Sequence, residues 1–137
     1  MEYEFILDPL VEEGGYKKKS FGGLSIYLDG RLVISLMDSD ETVYRGVDYG
    51  IMLWKGLLVP TSKENHKKLK EKFPSLVPHP FLKKWMFLPA SEEFEELASE
   101  IIHYIALRGS LIGVEPRTPK SRDFKKKPFK KGLKETI

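Results

Sequence analysis

The chain has 137 residues, 23 Lys+Arg against 20 Asp+Glu, 41% hydrophobic and 12% aromatic residues, a profile that fits one small domain better than two. It contains no cysteine, which excludes a disulfide scaffold, a thiolate zinc site and a cysteine nucleophile. No apolar run approaches the roughly 20 residues of a bilayer span, and MEYEFILDPL has acids where a secretory signal carries Lys or Arg, so a soluble, cytoplasmic protein without a membrane partner is expected.

In chain order, residues 3–10 are apolar enough for a short helix or an edge strand, and the pattern leaves both open. Lys17-Lys18-Lys19 reads as a cationic loop beside a Gly-Gly turn, able to meet phosphates. Residues 24–28 and 31–37 flank Asp29-Gly30, the dipeptide that favours a two-residue type I′ turn, and so predict a β-hairpin. In its second strand Leu32, Ile34 and Leu36 are expected on one face, with Val33, Ser35 and Met37 on the other. Further strands are predicted at 42–45, 51–59 and 84–88. A helix is predicted over 61–73, with Thr61 and Glu64 at capping-box spacing and Pro74 as its stop.

The clearest helix spans 91–107. Ser91 is placed to cap it, Glu92 and Glu93 suit the positive end of its dipole, and Phe94, Leu97, Ala98, Ile101, Ile102 and Ile105 form one apolar stripe. Hairpin, strands, helix, strand, helix predicts an α+β domain, with helices packed against an antiparallel sheet built around the hairpin.

Residues 117–137 differ in kind. They carry nine basic residues, Lys125, Lys126, Lys127, Lys130 and Lys131 among them, and two acids, a net +7; the 14 basic and 18 acidic residues before them leave the body at −4. Pro119 and Pro128 interrupt any helix there, and little is apolar, so 1–116 is read as the domain and 117–137 as a basic, disordered tail.

The stretch from Lys19 through Phe21-Gly22-Gly23 and the aliphatic-aromatic strand to Asp29-Gly30 resembles the opening of the TfoX N-terminal domain. Phe21, Gly22 and Gly23 are then the structural entry to the hairpin, Phe21 anchoring it and the glycines permitting positive φ or close packing. The resemblance covers roughly residues 5–116. It implies a regulator-like small domain without known catalysis. The basic tail stands where longer regulators have a second domain, and the middle stretch with Trp54, His66 and Pro78-His79-Pro80 points to a distinct subgroup.

Motifs for chemistry fail on spacing. Lys19-Ser20 resembles the end of a phosphate-binding loop, but Lys18 stands where Gly is needed and a strand follows instead of a helix. Asp38, Asp40 and Glu41 read as a solvated turn, because an EF-hand would require Gly at Val43 and Glu at Tyr49. His66, His79 and His103 have no metal-ligand spacing and read as surface or packing residues. Ser25, His79 and Asp48 could form a triad only by chance, since no nucleophile elbow accompanies them. Tyr27, Tyr44, Tyr49, Trp54, Trp85, Phe87 and Phe94 are read mainly as core, with a groove or base-stacking platform as the alternative. No catalytic, cofactor or metal site is expected. The expected function is non-enzymatic binding of nucleic acid or another polyanion through the tail; the alternative is a protein-interaction domain, including a homodimer, or a small-ligand domain.

Overall fold

The computed structural model describes residues 2–20 and 22–116, with the side chain of Ser20 excepted; Phe21 and the basic segment 117–137 lie outside the described residues. The chain opens in a single 3-10 turn, Glu4–Leu7, that runs into α1 (Asp8–Glu12), so the 3–10 segment is helical from Glu4 onward. Pro9 suits this first turn because its missing N–H would have no partner there. Ile6, Leu7 and Leu10 are the buried side of the segment.

The main sheet has six antiparallel strands: β1 (Tyr16–Ser20), β2 (Gly23–Leu28), β3 (Arg31–Asp38), β6 (Lys55–Val59), β7 (Val77–Pro78) and β8 (Met86–Pro89). Their order across the sheet is β1-β2-β3-β6-β8-β7. The small strands β4 (Val43–Tyr44) and β5 (Val47–Asp48) form a separate hairpin. Two helices complete the domain, α2 (His66–Lys72) and α3 (Phe94–Ala106).

Asp29 and Gly30 turn β2 into β3 with φ of 54° and 77°, the left-handed pair that a type I′ turn requires. The register then slips between Ile26 and Tyr27, so Ile26 faces Ile34 while Tyr27 faces Leu32. Val33 is the extra residue of this bulge. The slip corrects the face assignment drawn from simple alternation: Leu32 joins the face of Ser35, and Val33 enters the opposite, helix-covered core.

Helices cover one face of the sheet. Leu24, Ile26, Ile34, Leu36, Leu57 and Leu88 of the strands pack there with Leu10 of α1, Leu69 of α2, and Phe94, Ala98, Ile101, Ile102 and Ile105 of α3. The α3 stripe is buried as its spacing requires except at Leu97, which is half-buried, and Glu92, Glu95, Glu96, Ser99 and His103 are exposed. Its start differs from expectation: Glu93 is the N-cap residue, and Ser91 contributes only its carbonyl to a turn with the Phe94 N–H. The 61–73 helix is also shorter than predicted. Thr61 does not cap it, because its hydroxyl donates to the Leu111 carbonyl at 2.7 Å; a 3-10 turn, Lys63–Asn65, leads into α2 instead.

The other sheet face is covered by loops rather than helices, and Ser35 and Ser25 on it are buried as well. Met37, Leu58 and Phe87 are buried there beneath Trp54, Leu82 and Trp85. Cross-strand register continues this row outward through Ser35 and Ser25 to Lys18 on the edge strand. Past β6 the sheet gains one more partner: Leu32 and Val114 exchange both backbone hydrogen bonds, at 2.9 and 3.0 Å. This bridge, the Gly113 N–H on the Pro60 carbonyl and the Arg31 guanidinium on the Gly113 carbonyl hold the chain against the sheet up to Pro116.

Candidate functional site

The 79–85 loop is organised by one buried imidazole. His79 Nε2–H donates to the Leu53 carbonyl at 2.8 Å, while Nδ1 accepts the N–H groups of Phe81 and Leu82, each at 3.1 Å. Two donors facing Nδ1 fix the ring as the neutral Nε2–H tautomer. Burial pushes its pKa below the ordinary 6.5, partly opposed by the bond to Leu53. The loop ends close on each other through the His79 N–H and the Trp85 carbonyl, so the segment is a compact seven-residue loop packed on its own side chain.

Around His79 stand Trp54 at 4.6 Å and Phe87 at 5.2 Å, ring centre to ring centre. Phe81 lies over Tyr44 at 4.3 Å and Tyr49 at 4.8 Å, which docks the β4–β5 hairpin on the loop. Most aromatics therefore pack on one another. Tyr27 and Trp85 differ: among the described residues neither makes a ring pair, and both line an open groove of about 850 Å³.

The floor of that groove is Tyr27 and Leu32 of the sheet face that the helices leave open, and one wall is Phe81 and Trp85 of the loop. Val114, Glu115 and Pro116 form the other wall. Lys63, Lys83 and Lys84 line it as well, and Glu115 is its sole acid among the described residues, 3.5 Å from the Arg31 guanidinium. The backbone under these lysines is tied down, since His66 Nε2–H donates to the Lys84 carbonyl at 2.8 Å.

Residues singled out from the sequence fall elsewhere in part. Lys17, Lys18 and Lys19 are not a loop but the middle of edge strand β1, where alternation sends Lys18 to the groove face and its neighbours to the other. Lys17 is moreover paired with Glu4 at 2.7 Å, a contact that holds the Glu4 carboxyl below its usual range. The edge also explains the residue type, because a lysine-rich edge strand resists pairing with a second sheet. Lys125, Lys126, Lys127, Lys130 and Lys131 lie outside the described residues, as does Phe21. Gly22 has φ of +77°, and a Cβ at Gly23 would lie 2.1 Å from the Leu36 carbonyl oxygen, so both glycines are required by backbone at the hairpin entry.

The remaining candidates are committed to structural partners. Lys55 reaches Asp38 and Asp40, each at 3.0 Å, and its pKa is raised by the hydrogen bond to Asp38 and then that to Asp40. Ser25 Oγ lies 2.7 Å from Ser35 Oγ, and Asp48 accepts the Gly50 N–H, so neither addresses His79 as a triad would. Among the described residues no three His, Asp or Glu side chains gather as a metal site. Lys63, Lys83 and Lys84 were not anticipated as site residues. Their signal was present in part: Lys83-Lys84 lies between Phe81 and Trp85, a basic pair interleaved with aromatics. Among the described residues no helix is long and apolar enough to cross a membrane. The chain matches no family model, no curated protein and no solved structure.

Proposed function

We propose that the protein is a non-enzymatic regulatory or macromolecule-binding module with sequence-independent affinity for polyanions. The basic segment 117–137 supplies most of that affinity, and the groove lysines add to it. One observation carries the reading: Pro116, the residue before the basic segment, lies in the wall of a groove that also holds Lys63, Lys83 and Lys84. The residue to which the nine-cation segment is joined thus stands beside three further lysines, while the body as a whole is acidic. Lysines without a recognition helix position a protein on phosphates and do not read sequence. Kinship with the TfoX N-terminal domain belongs to the same proposal; what supports it is the Gly22-Gly23 entry and the Asp29-Gly30 turn. The test is titration of a labelled duplex with full-length protein at ~50 and ~200 mM salt. Binding that falls steeply across that range is expected; absence of binding at the lower salt would overturn the proposal.

A second reading has its own observation. The β4–β5 hairpin and the residues after it expose Val43, Val47, Tyr49, Ile51 and Met52, with Ile51 54% and Val47 51% accessible. Clustered exposed apolar side chains favour a protein partner or a second copy of the chain. Sedimentation of the native chain and of Val47→Glu tests the second copy: a dimer lost in the variant supports it, and a monomer in both rejects it.

A further inference from the structure

We propose that the groove beside the 79–85 loop is a binding site for single-stranded nucleic acid, with bases stacked on Tyr27 and Trp85 and phosphates met by Lys63, Lys83 and Lys84. The inference rests on the polyanion reading and adds the class of ligand to it. Lysines alone do not distinguish a duplex from a single strand, since both present phosphates. Aromatic faces do, because in a duplex the faces of the bases are already stacked on one another, whereas an unpaired base offers its face to any ring.

The distribution of aromatics supplies that distinction. Tyr44, Tyr49, Trp54 and Phe81 occupy one another around His79, Tyr3 packs on Phe94, and Phe73 packs on Tyr104. Tyr27 and Trp85 are half-buried in the groove without a ring partner, and among the described residues neither the Tyr27 hydroxyl nor the Trp85 indole N–H makes a hydrogen bond within the protein. Base edges and sugar hydroxyls can pair with both groups.

The surface continues beyond the groove. Tyr16, 63% accessible, lies opposite Tyr27 in the β1–β2 register and therefore on the same face, two residues from Lys18. A strand laid from the groove across Tyr27 to the sheet edge meets a second ring, Tyr16, and a further ammonium group, Lys18. Charge complementarity favours this occupant over an acidic or neutral one, with three lysines against a single carboxylate that Arg31 already faces.

Full-length protein is titrated with a labelled oligothymidylate of about 16 nucleotides and with a duplex of equal length, following anisotropy and tryptophan emission, at ~50 mM salt. The single strand is expected to bind more tightly than the duplex and to quench tryptophan. Tyr27→Leu is expected to weaken the single strand about tenfold and leave the duplex unchanged. Trp85→Phe, which keeps a packing ring, should abolish most of the quench; Lys83→Ala with Lys84→Ala should weaken both ligands. Equal binding of the two ligands, unaffected by Tyr27→Leu and Trp85→Phe in proteins that melt normally, would overturn the stacking site while leaving the polyanion reading intact. Failure of both ligands to bind overturns both.

Discussion

A few side chains connect elements that are remote in sequence. Arg108, itself at φ of +63°, donates to Asp29 in the β2–β3 turn, to Glu13 after α1 and to the Ala106 carbonyl at the end of α3. Its pKa is held above its ordinary value by the bond to Glu13 and then that to Asp29. His79 has the same role on the opposite face and is titratable in an accessible range. Because the folded state holds the ring neutral, its contribution to stability is complete above the ordinary pKa of 6.5 and is lost as pH falls below it, when the unfolded chain binds the proton first. Denaturant midpoints should therefore decline between about pH 7 and 5, and His79→Gln should lose that component of the slope. A slope identical in the variant would contradict the assignment. At the hairpin entry Gly22→Ala should cost on the order of 1 to 3 kcal/mol through its positive φ. Gly23→Ala should cost more, because its Cβ meets the Leu36 carbonyl of a paired strand. Equal stability of wild type and both variants by chemical denaturation would reject the turn geometry.

At the scale of elements, α3 is held by its buried stripe. Ile102→Ala, at a side chain 1% exposed, should destabilise by about 2 to 5 kcal/mol in chemical denaturation. Glu96→Ala on the solvated side should stay within about 0.5 kcal/mol; a large effect there would mean the helix faces were misassigned. Elements whose signal is local were legible in the sequence. Asp29-Gly30 encodes its own turn, and α3 encodes its buried face by spacing. Elements defined by a neighbour were not. Strand β1 has no apolar alternation, since its lysines suit a sheet edge, and β7 consists of two residues that are strand only because β8 lies beside them. The β2–β3 bulge moved Leu32 and Val33 to faces that strict alternation denied them. Thr61 had capping spacing, yet Leu111, 50 residues away, claimed its hydroxyl. The site follows the same rule: Lys83-Lys84 between aromatics was readable, whereas Lys63 reaches the groove only once Thr61 and Leu111 have been brought together.

For the whole molecule the governing fact is the division of charge, −4 over residues 1–116 and +7 over 117–137. The fold brings Pro116, the residue before that basic segment, to a groove holding three lysines, on the one sheet face that helices leave open. If 1–116 is a complete core, a chain ending at Pro116 should keep a cooperative melt at a midpoint close to that of the full chain; loss of the transition would make the segment part of the core. The most direct measurement of the central claim compares these two proteins as binders. Each is titrated with a labelled duplex at several salt concentrations between ~50 and ~200 mM, and the slope of log affinity against log salt, about −0.9 per phosphate neutralised, is read from each. The account predicts a steep slope for the full chain and, for 1–116, weaker binding with a slope reduced by several units. An unchanged slope after removal of 117–137, or no binding by the full chain at the lowest salt, would contradict it.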